Sequence, residues 1–165
     1  MFGTALRSRR PRGSNEQLHR SQMKYVVDTN IINWLIDRKI DKSAMPGDGE
    51  FVATHIQIDE INRTSDEERR ARLFLTLASS LSGLLQTETT VLDVSRFDFS
   101  KLGDGVTYTS VKKQLDAMNG GKPSNVRDAL IAEVSIVNSY TLLTADRDLA
   151  KVAADHGGMV RLYTI

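Results

Sequence analysis

The stretch Tyr25-Val26-Val27-Asp28-Thr29-Asn30 carries the transition from a strand to a helix. Aromatic and β-branched residues, which are typical of strands, stand directly before three polar ones. Apolar residues then recur at positions 31, 32 and 34–36, which indicates a helix. The stretch therefore predicts a strand over residues 24–27 that passes straight into a helix, with Asp28 at the junction.

The same alternation continues along the first half of the chain. Phe51-Val52-Ala53 is predicted as a strand, and Thr54 with Gln57 forms a capping-box pattern that begins the next helix. Ser65 or Asp66 is then expected to cap a long helix that continues to about Gln86. The leucines expected on its buried side are Leu73, Leu77, Leu81, Leu84 and Leu85.

The second half repeats the pattern with shorter elements. Thr90-Val91-Leu92-Asp93-Val94 is predicted as a strand. Gly120-Gly121-Lys122-Pro123 is expected to end one helix, and Ser124 or Asn125 to cap the following one. The other predicted segments are an irregular loop (98–107), a helix that carries Val111, Leu115 and Met118, a strand (140–144), a helix (148–156) and a strand (160–163).

Strands that alternate with helices indicate an α/β fold. We expect a three-layer α/β/α domain over residues 23–165, with a mainly parallel central sheet and helices on both faces. The 165 residues suffice for one domain with a sizeable core and are too few for two of ordinary size. In such sheets, ligands bind beyond the C-terminal ends of the strands.

Composition separates the first 22 residues from the rest. They hold five arginines and one glutamate without hydrophobic periodicity, so we predict a disordered basic tail. The other residues comprise 17 basic and 20 acidic ones, a net charge of −3. Met23 stands directly before the first strand and is a second candidate for the start of the protein. A basic tail can add affinity for nucleic-acid phosphates.

Several classes of protein are excluded by composition. The chain has no cysteine, which rules out disulfides, thiolate metal sites and cysteine nucleophiles. No stretch has the apolar length needed to cross a bilayer, and no apolar segment follows the basic N-terminus. We therefore expect a cytoplasmic protein without a membrane partner.

Acidic residues recur where the predicted strands end. Asp28 follows the first strand directly, and Asp146 and Asp148 follow the strand over 140–144. Glu60 and Asp128 lie in the early turns of two helices. Because the C-terminal ends of parallel strands meet at one edge of a sheet, we expect these acids to converge. Converging carboxylates repel one another, and Mg²⁺ or Mn²⁺, which prefer oxygen ligands, would offset that repulsion.

Each of these residues also has a structural interpretation. Asn30 and Asp128 stand near helix starts, where Asn and Asp are ordinary caps. Asp146 and Asp148 are compatible with a turn and a cap, and Glu60 with a solvated helix position. The pattern as a whole favours a functional site, because five independent accidents at strand ends are improbable.

The sequence resembles the PIN-domain family. The matching segments are Val26-Val27-Asp28-Thr29-Asn30, Asp59-Glu60-Ile61, Arg127-Asp128-Ala129-Leu130-Ile131-Ala132-Glu133 and Leu142-Leu143-Thr144-Ala145-Asp146-Arg147-Asp148-Leu149. Their order and strand–helix context agree with the family over residues 23–165. The resemblance implies a PIN-like domain of flavodoxin-like topology and an acidic metal site.

The resemblance also implies roles for individual residues. The metal ligands and catalytic acids would be Asp28, Glu60, Asp128 and Asp146, with Asp148 as an accessory metal ligand. Asn30 and Thr144 would orient the carboxylates. Apart from the resemblance, Arg127 and Arg147 flank two of the acids, and each is expected either to bind the substrate phosphate or to be a solvated surface residue. The cofactor would be Mg²⁺ or Mn²⁺.

The function implied by this resemblance is that of a metal-dependent endoribonuclease that hydrolyses RNA phosphodiester bonds. Bound cations would lower the pKa of a water molecule and stabilise the charge that develops on the phosphate. VapC-like toxins are the nearest known type, so we expect an RNA substrate, a cognate antitoxin protein and a homodimer. The alternative is a non-catalytic PIN module that binds RNA or a protein partner, and the intact set of acids counts against it.

Phosphotransfer is a third interpretation, since other α/β families also place an Asp after the first strand. Phosphatases of the haloacid-dehalogenase type need a second Asp two residues later, where this chain has Asn30. A receiver domain needs a paired acid before the phosphorylated Asp and a late Lys, and neither arrangement is found. His55, which precedes Glu60 in the same predicted helix, is interpreted as a structural residue.

Overall fold

A computed structural model describes residues 23–165, and the predicted basic tail, residues 1–22, lies outside them. The centre of the fold is a sheet of five parallel strands. The strands are β1 (Met23–Val27), β2 (Gly49–Thr54), β3 (Leu81–Leu85), β4 (Thr141–Thr144) and β5 (Met159–Leu162). Their order across the sheet is β3-β2-β1-β4-β5.

Six α-helices cover the two faces of this sheet. They are α1 (Thr29–Ile36), α2 (His55–Asn62), α3 (Glu67–Ser80), α4 (Val106–Asn119), α5 (Asn125–Val137) and α6 (Arg147–Asp155). Neighbouring strand residues point to opposite faces: Val26 packs with α4, α5 and α6, and Val27 packs with α1 and α3. The predicted three-layer α/β/α fold with a parallel sheet is therefore confirmed.

The strand order decides where a ligand can bind. The order reverses beside β1, because β2 and β3 lie on one side of β1 and β4 and β5 lie on the other. A crevice forms at such a switch point, beyond the carboxyl ends of the two central strands. The three layers are those predicted from the sequence. The strand order, however, differs from the 2-1-3-4-5 order of flavodoxin, so the flavodoxin-like strand order that was predicted is not observed.

The predicted long helix after Asp66 ends earlier than expected. Asp66 does cap α3, but the helix ends at Ser80, and Leu81–Leu85 forms the edge strand β3. Leu84, predicted to be buried, is 45% exposed, and Leu81 and Leu85 are partly buried. Glycine and serine in this segment favour a helix only weakly, and hydrogen bonding to β2 stabilises the strand. Tertiary pairing thus overrides the helical spacing of the leucines.

The strand predicted over Thr90–Val94 is wrong as well. The segment is a turn in which the Val91 carbonyl accepts from the backbone N–H groups of Val94 and Ser95. Asp93 has a positive φ of 64°, a conformation that a strand does not contain. The third strand of the sheet is Leu81–Leu85 instead, so the alternation predicted from sequence is kept with a different segment.

The other predicted elements are close to those observed. The loop predicted over 98–107 is largely irregular, with a 3-10 helix over Phe97–Phe99 at its start and α4 beginning at Val106. The last helix and the last strand each begin one residue earlier than predicted. No helix within residues 23–165 is long and apolar enough to cross a membrane.

Candidate active site

Asp28 lies at the switch point, directly after β1. Its backbone N–H donates to the Leu143 carbonyl at 2.9 Å, which ties the end of β1 to β4. Asp28 occupies the N-cap position of α1 but makes no side-chain cap hydrogen bond. Its carboxylate, in a residue only 4% exposed, instead accepts from the Thr144 hydroxyl at 2.6 Å. The side chain is therefore turned into the crevice and is not a helix cap.

The Thr144 hydroxyl is the centre of a small hydrogen-bond network. It donates to Asp28 Oδ2 and accepts from Asn30 Nδ2 at 3.3 Å and from the Asp146 backbone N–H at 3.0 Å. Asn30 Oδ1 in turn accepts from the Ala145 backbone N–H at 3.0 Å. These contacts fix the orientation of the Thr144 hydroxyl and, through it, of the Asp28 carboxylate.

Asp146 is both a helix cap and a member of the cluster. Its Oδ1 accepts from the backbone N–H groups of Asp148 at 2.8 Å and Leu149 at 3.0 Å, so it caps α6. Oδ1 therefore has the helix-capping role that the structural interpretation of this residue describes. No residue in the described part of the chain donates to Oδ2, which leaves that oxygen free to bind a ligand.

Glu60 reaches the crevice from α2. The predicted capping box is present, with Thr54 and Gln57 bonded reciprocally at the start of this helix. Gln57 Nε2 also donates to the Val27 carbonyl at 2.9 Å, which fixes α2 to the end of β1. Glu60 follows Gln57 by almost one turn, so the same contact places its carboxylate beside Asp28.

Two side chains hold the Glu60 carboxylate. Arg127 Nε donates to Oε1 at 2.9 Å, and the Thr29 hydroxyl donates to Oε2. The Arg127 and Glu60 side chains are 24% and 20% exposed, so the ion pair is partly shielded from solvent. Thr29 was missed as a site residue. Its place directly after Asp28 was the only available signal, because Glu60 is 31 residues away.

Asp128 enters the site from the first turn of α5. Asn125, at the first position of this helix, donates to Asp116 Oδ1 at 2.7 Å and so fixes the start of α5 to α4. Ser124 stands at the N-cap position without a side-chain cap hydrogen bond. The Asp128 backbone N–H donates to the Ser124 carbonyl at 3.0 Å. The start of α5 is thereby held, and Asp128 faces the other acids.

The electrostatics show that these acids act on one another. Burial, with the charges of Glu60 and Asp146, raises the pKa of Asp28 to about 6. Burial, with the charges of Asp28 and Glu60, raises the pKa of Asp128 to about 7. Four acids from four segments of the chain therefore form one cluster, hereafter the acid cluster. Such repulsion is relieved by protonation or by a bound cation.

The carboxylate ligands of the acid cluster suit a metal ion, but their side chains are not arranged to coordinate one. Carboxylate oxygens are the ligands that Mg²⁺ and Mn²⁺ prefer. Within residues 23–165, however, no three His, Cys, Asp or Glu side chains are arranged so that they could hold a metal ion. Both oxygens of Glu60 are engaged by Thr29 and Arg127, and one oxygen of Asp28 is engaged by Thr144. The carboxylates would have to reorient to bind a metal.

Three further residues were singled out in the sequence. Asp148 is in the first turn of α6, and its charge is not among the main causes that raise the pKa of Asp28 or Asp128. Arg147 is exposed at the start of α6. His55 is buried, and its Nε2 accepts from the Arg96 backbone N–H at 3.3 Å. The contacts of His55 are thus those of a packed residue, as the sequence predicted.

The fold resembles that of solved toxin–antitoxin structures. No family model matches the sequence, and no curated protein matches it either. A chain in the structure of VapBC2 from Rickettsia felis, bound to a DNA fragment from their promoter, is 16% identical with a TM-score of 0.54. That match covers 86% of this chain and 100% of the other.

Two further structures are similar with lower scores. VapBC-5 from Mycobacterium tuberculosis, a member of the VapBC family of toxin–antitoxin systems, is 18% identical with a TM-score of 0.43, over 86% of this chain and 98% of the other. FitAcB from Neisseria gonorrhoeae is 15% identical with a TM-score of 0.40, over 82% and 95%. The likeness to the Rickettsia structure concerns the fold, and this chain accordingly has the PIN-like fold that its sequence predicts.

Proposed function

We propose that this chain is a metal-dependent endoribonuclease that hydrolyses RNA phosphodiester bonds. The observation that carries the proposal is the acid cluster, in which the charges of Glu60 and Asp146 raise the pKa of Asp28, and those of Asp28 and Glu60 raise the pKa of Asp128. A fold gains nothing from concentrating like charges in a crevice, so the arrangement points to a cation as its ligand.

The residues that would hold Mg²⁺ or Mn²⁺ are Asp28, Glu60, Asp128 and Asp146, with Asp148 in an accessory role. A bound cation would supply an acidified water and stabilise negative charge on the phosphate. Thr144 and Asn30 orient Asp28, and the start of α6 orients Asp146. Arg147, exposed at the start of α6, would bind an RNA phosphate.

The proposed partners follow from the resemblance to VapC-like toxins. We include a cognate antitoxin protein and a homodimer in the proposal, and the similarity to a chain of a VapBC structure supports the first of these. Co-expression with the product of the neighbouring gene tests the antitoxin. A complex that suppresses RNA cleavage supports this part of the proposal, and the absence of both binding and suppression would remove it.

The nuclease activity is tested with single-stranded RNA of mixed sequence, in Mn²⁺, in Mg²⁺ and in EDTA. Internal cleavage by the wild type should require the cation and be lost in Asp128→Asn and in Asp146→Asn. The matched control is Glu67→Gln, which changes an acid whose side chain is 90% exposed on α3. Cleavage that survives both Asn substitutions, or that is absent with either cation, overturns the proposal.

A non-catalytic PIN module is the second candidate function. It is favoured by one specific observation, the ion pair between Glu60 and Arg127, which already neutralises one of the acids. RNA or a protein partner would then bind at the crevice without being cleaved. Retention of RNA in Mn²⁺ without any cleavage product, equal in the wild type and in Asp128→Asn, would support this second function.

A further inference from the structure

We propose that Arg127 is an internal counterion of the acid cluster, and that it must leave Glu60 when a divalent cation binds. The inference rests on the proposed metal-dependent function. It assigns to Arg127 a positioning role in the access of metal to the site, in addition to the phosphate contact that the sequence suggested. Its starting point is the Arg127–Glu60 ion pair at 2.9 Å.

The Arg127–Glu60 ion pair differs from the other salt bridges because it involves a member of the acid cluster. Within residues 23–165, no other Lys, Arg or His side chain forms a salt bridge with any member of the acid cluster. Arg147, which follows Asp146 as closely as Arg127 precedes Asp128, is exposed and forms no such bridge there. Two arginines thus flank two acids in the sequence, and the fold brings only one of them into the cluster.

The effect of the pair on Glu60 is geometric as well as electrostatic. Arg127 engages Oε1 and Thr29 engages Oε2, so that both oxygens of the carboxylate already accept a hydrogen bond. This agrees with the lack of any three-acid metal arrangement in the part of the chain that the structure describes. A guanidinium group at hydrogen-bond distance would also repel a dication on the same carboxylate.

The same helix carries both the counterion and a ligand. Arg127 and Asp128 are neighbours in the first turn of α5, whose start is fixed to α4 through Asn125. The helix itself is therefore held, and exchange between the two cations needs rotation of the Arg127 side chain and of the carboxylates without movement of the helix. That side chain is partly exposed and has a path to solvent. Arg127 and the metal ion then compete for Glu60.

The test is the affinity for Mn²⁺, measured by isothermal titration calorimetry on the full chain without RNA. Arg127→Gln should bind Mn²⁺ about fivefold more tightly than the wild type, which is the effect expected for the removal of one partly exposed ion pair. Arg147→Gln is the matched control, because it removes the same charge beside the other acid, and its affinity should change by less than twofold. Arg127→Lys keeps the charge and should give an intermediate affinity.

A second arm asks whether the effect passes through Glu60. In the Glu60→Gln background, replacing Arg127 by Gln should produce no further gain in Mn²⁺ affinity, since the competing pair no longer exists. If Arg127→Gln is poorly folded, Arg127→Lys carries the test: it should raise the Mn²⁺ affinity of the wild type and produce no gain in the Glu60→Gln background.

The results of these titrations distinguish a failure of the inference from a failure of the proposed function. If the wild type binds Mn²⁺ and Arg127→Gln binds it equally or more weakly, Arg127 is not a competitor and the inference fails while the metal site stands. An equal gain in Mn²⁺ affinity in Arg147→Gln would show that the loss of any nearby positive charge has this effect. That result would also overturn the inference. If neither the wild type nor any variant binds Mn²⁺, the proposed function fails together with the inference.

Discussion

Two regions of this molecule bury carboxylates, and they do so in different ways. One is the acid cluster at the carboxyl ends of β1 and β4. The other is Glu133 on α5, only 2% exposed, whose Oε1 accepts from the Thr89 hydroxyl at 2.8 Å and from the Tyr108 backbone N–H at 3.3 Å. Burial raises the pKa of Glu133 too, so a raised pKa by itself does not distinguish the two regions.

The partners of the carboxylates make the difference. Tyr108 lies in the first turn of α4, whose N-cap position is Gly105, a residue without a side chain to cap the helix. Glu133 therefore supplies the missing cap from a different helix, and its neutral donors lower its pKa against the effect of burial. The charge of Glu88 also raises the pKa of Glu133, but less than the Thr89 and Tyr108 donors lower it. In the acid cluster, by contrast, the charges of neighbouring acids raise the pKa of Asp28 and of Asp128. An acid held chiefly by neutral donors indicates structure, and several acids that repel one another indicate a ligand site.

The largest effect is expected for Glu133→Ala. The change leaves the Thr89 hydroxyl and the Tyr108 N–H without their acceptor and opens a cavity, so the free energy of unfolding should fall by about 3 kcal/mol. Urea unfolding followed by circular dichroism measures it. Glu133→Gln keeps an acceptor oxygen and should lose less. A loss below about 1 kcal/mol in Glu133→Ala would show that this carboxylate is not a structural cap.

Asp128→Asn should act in the opposite direction. It keeps the shape of the side chain and removes one repelling charge, so the free energy of unfolding of the metal-free protein should rise by ~1–2 kcal/mol at pH 8. RNA cleavage and the stabilisation by Mn²⁺ should be lost. Thermal melts in EDTA and in Mn²⁺ measure both quantities. A variant that melts lower in EDTA and still cleaves RNA would place Asp128 with Glu133 as a structural acid.

The pH dependence of stability should also depend on the titration of Asp128. Because folding raises the pKa of Asp128 from 3.8 to about 7, the native state binds more protons than the unfolded state between these values. Stability of the metal-free wild type should therefore fall as pH rises from about 4 to 7, by up to ~1 kcal/mol per pH unit. Asp128→Asn should flatten this slope. An equal slope in both proteins would assign it to other groups, such as Asp28 and Glu133.

The smallest effect is expected for Asp148→Asn. Asp148 lies in the first turn of α6, where its charge interacts favourably with the helix dipole. Since it is not among the main charges acting on Asp28 and Asp128, the loss of stability should be about 0.5 kcal/mol and the pH slope should be retained. A gain in stability like that of Asp128→Asn would instead add Asp148 to the acid cluster.

Local sequence was sufficient where neighbours along the chain make the structure. The passage from β1 through Asp28 into α1 and the capping box of Thr54 and Gln57 were both predicted, because each depends on contacts within a few residues. Leu81–Leu85 was assigned to a helix, because its pairing with β2 involves residues about thirty positions earlier. Long-range hydrogen bonds of this kind leave no local pattern in the sequence.

By itself, the sequence determined the layered α/β fold and the positions of Asp28, Glu60, Asp128 and Asp146 at the carboxyl edge of the sheet, because strand ends and helix starts follow from local periodicity. Only the tertiary structure decided what each carboxylate contacts. The Thr144–Asp28 and Arg127–Glu60 contacts join residues 116 and 67 positions apart. The rotamer of a side chain depends on the neighbours that surround it in space, and those neighbours are brought together only when the whole chain has folded.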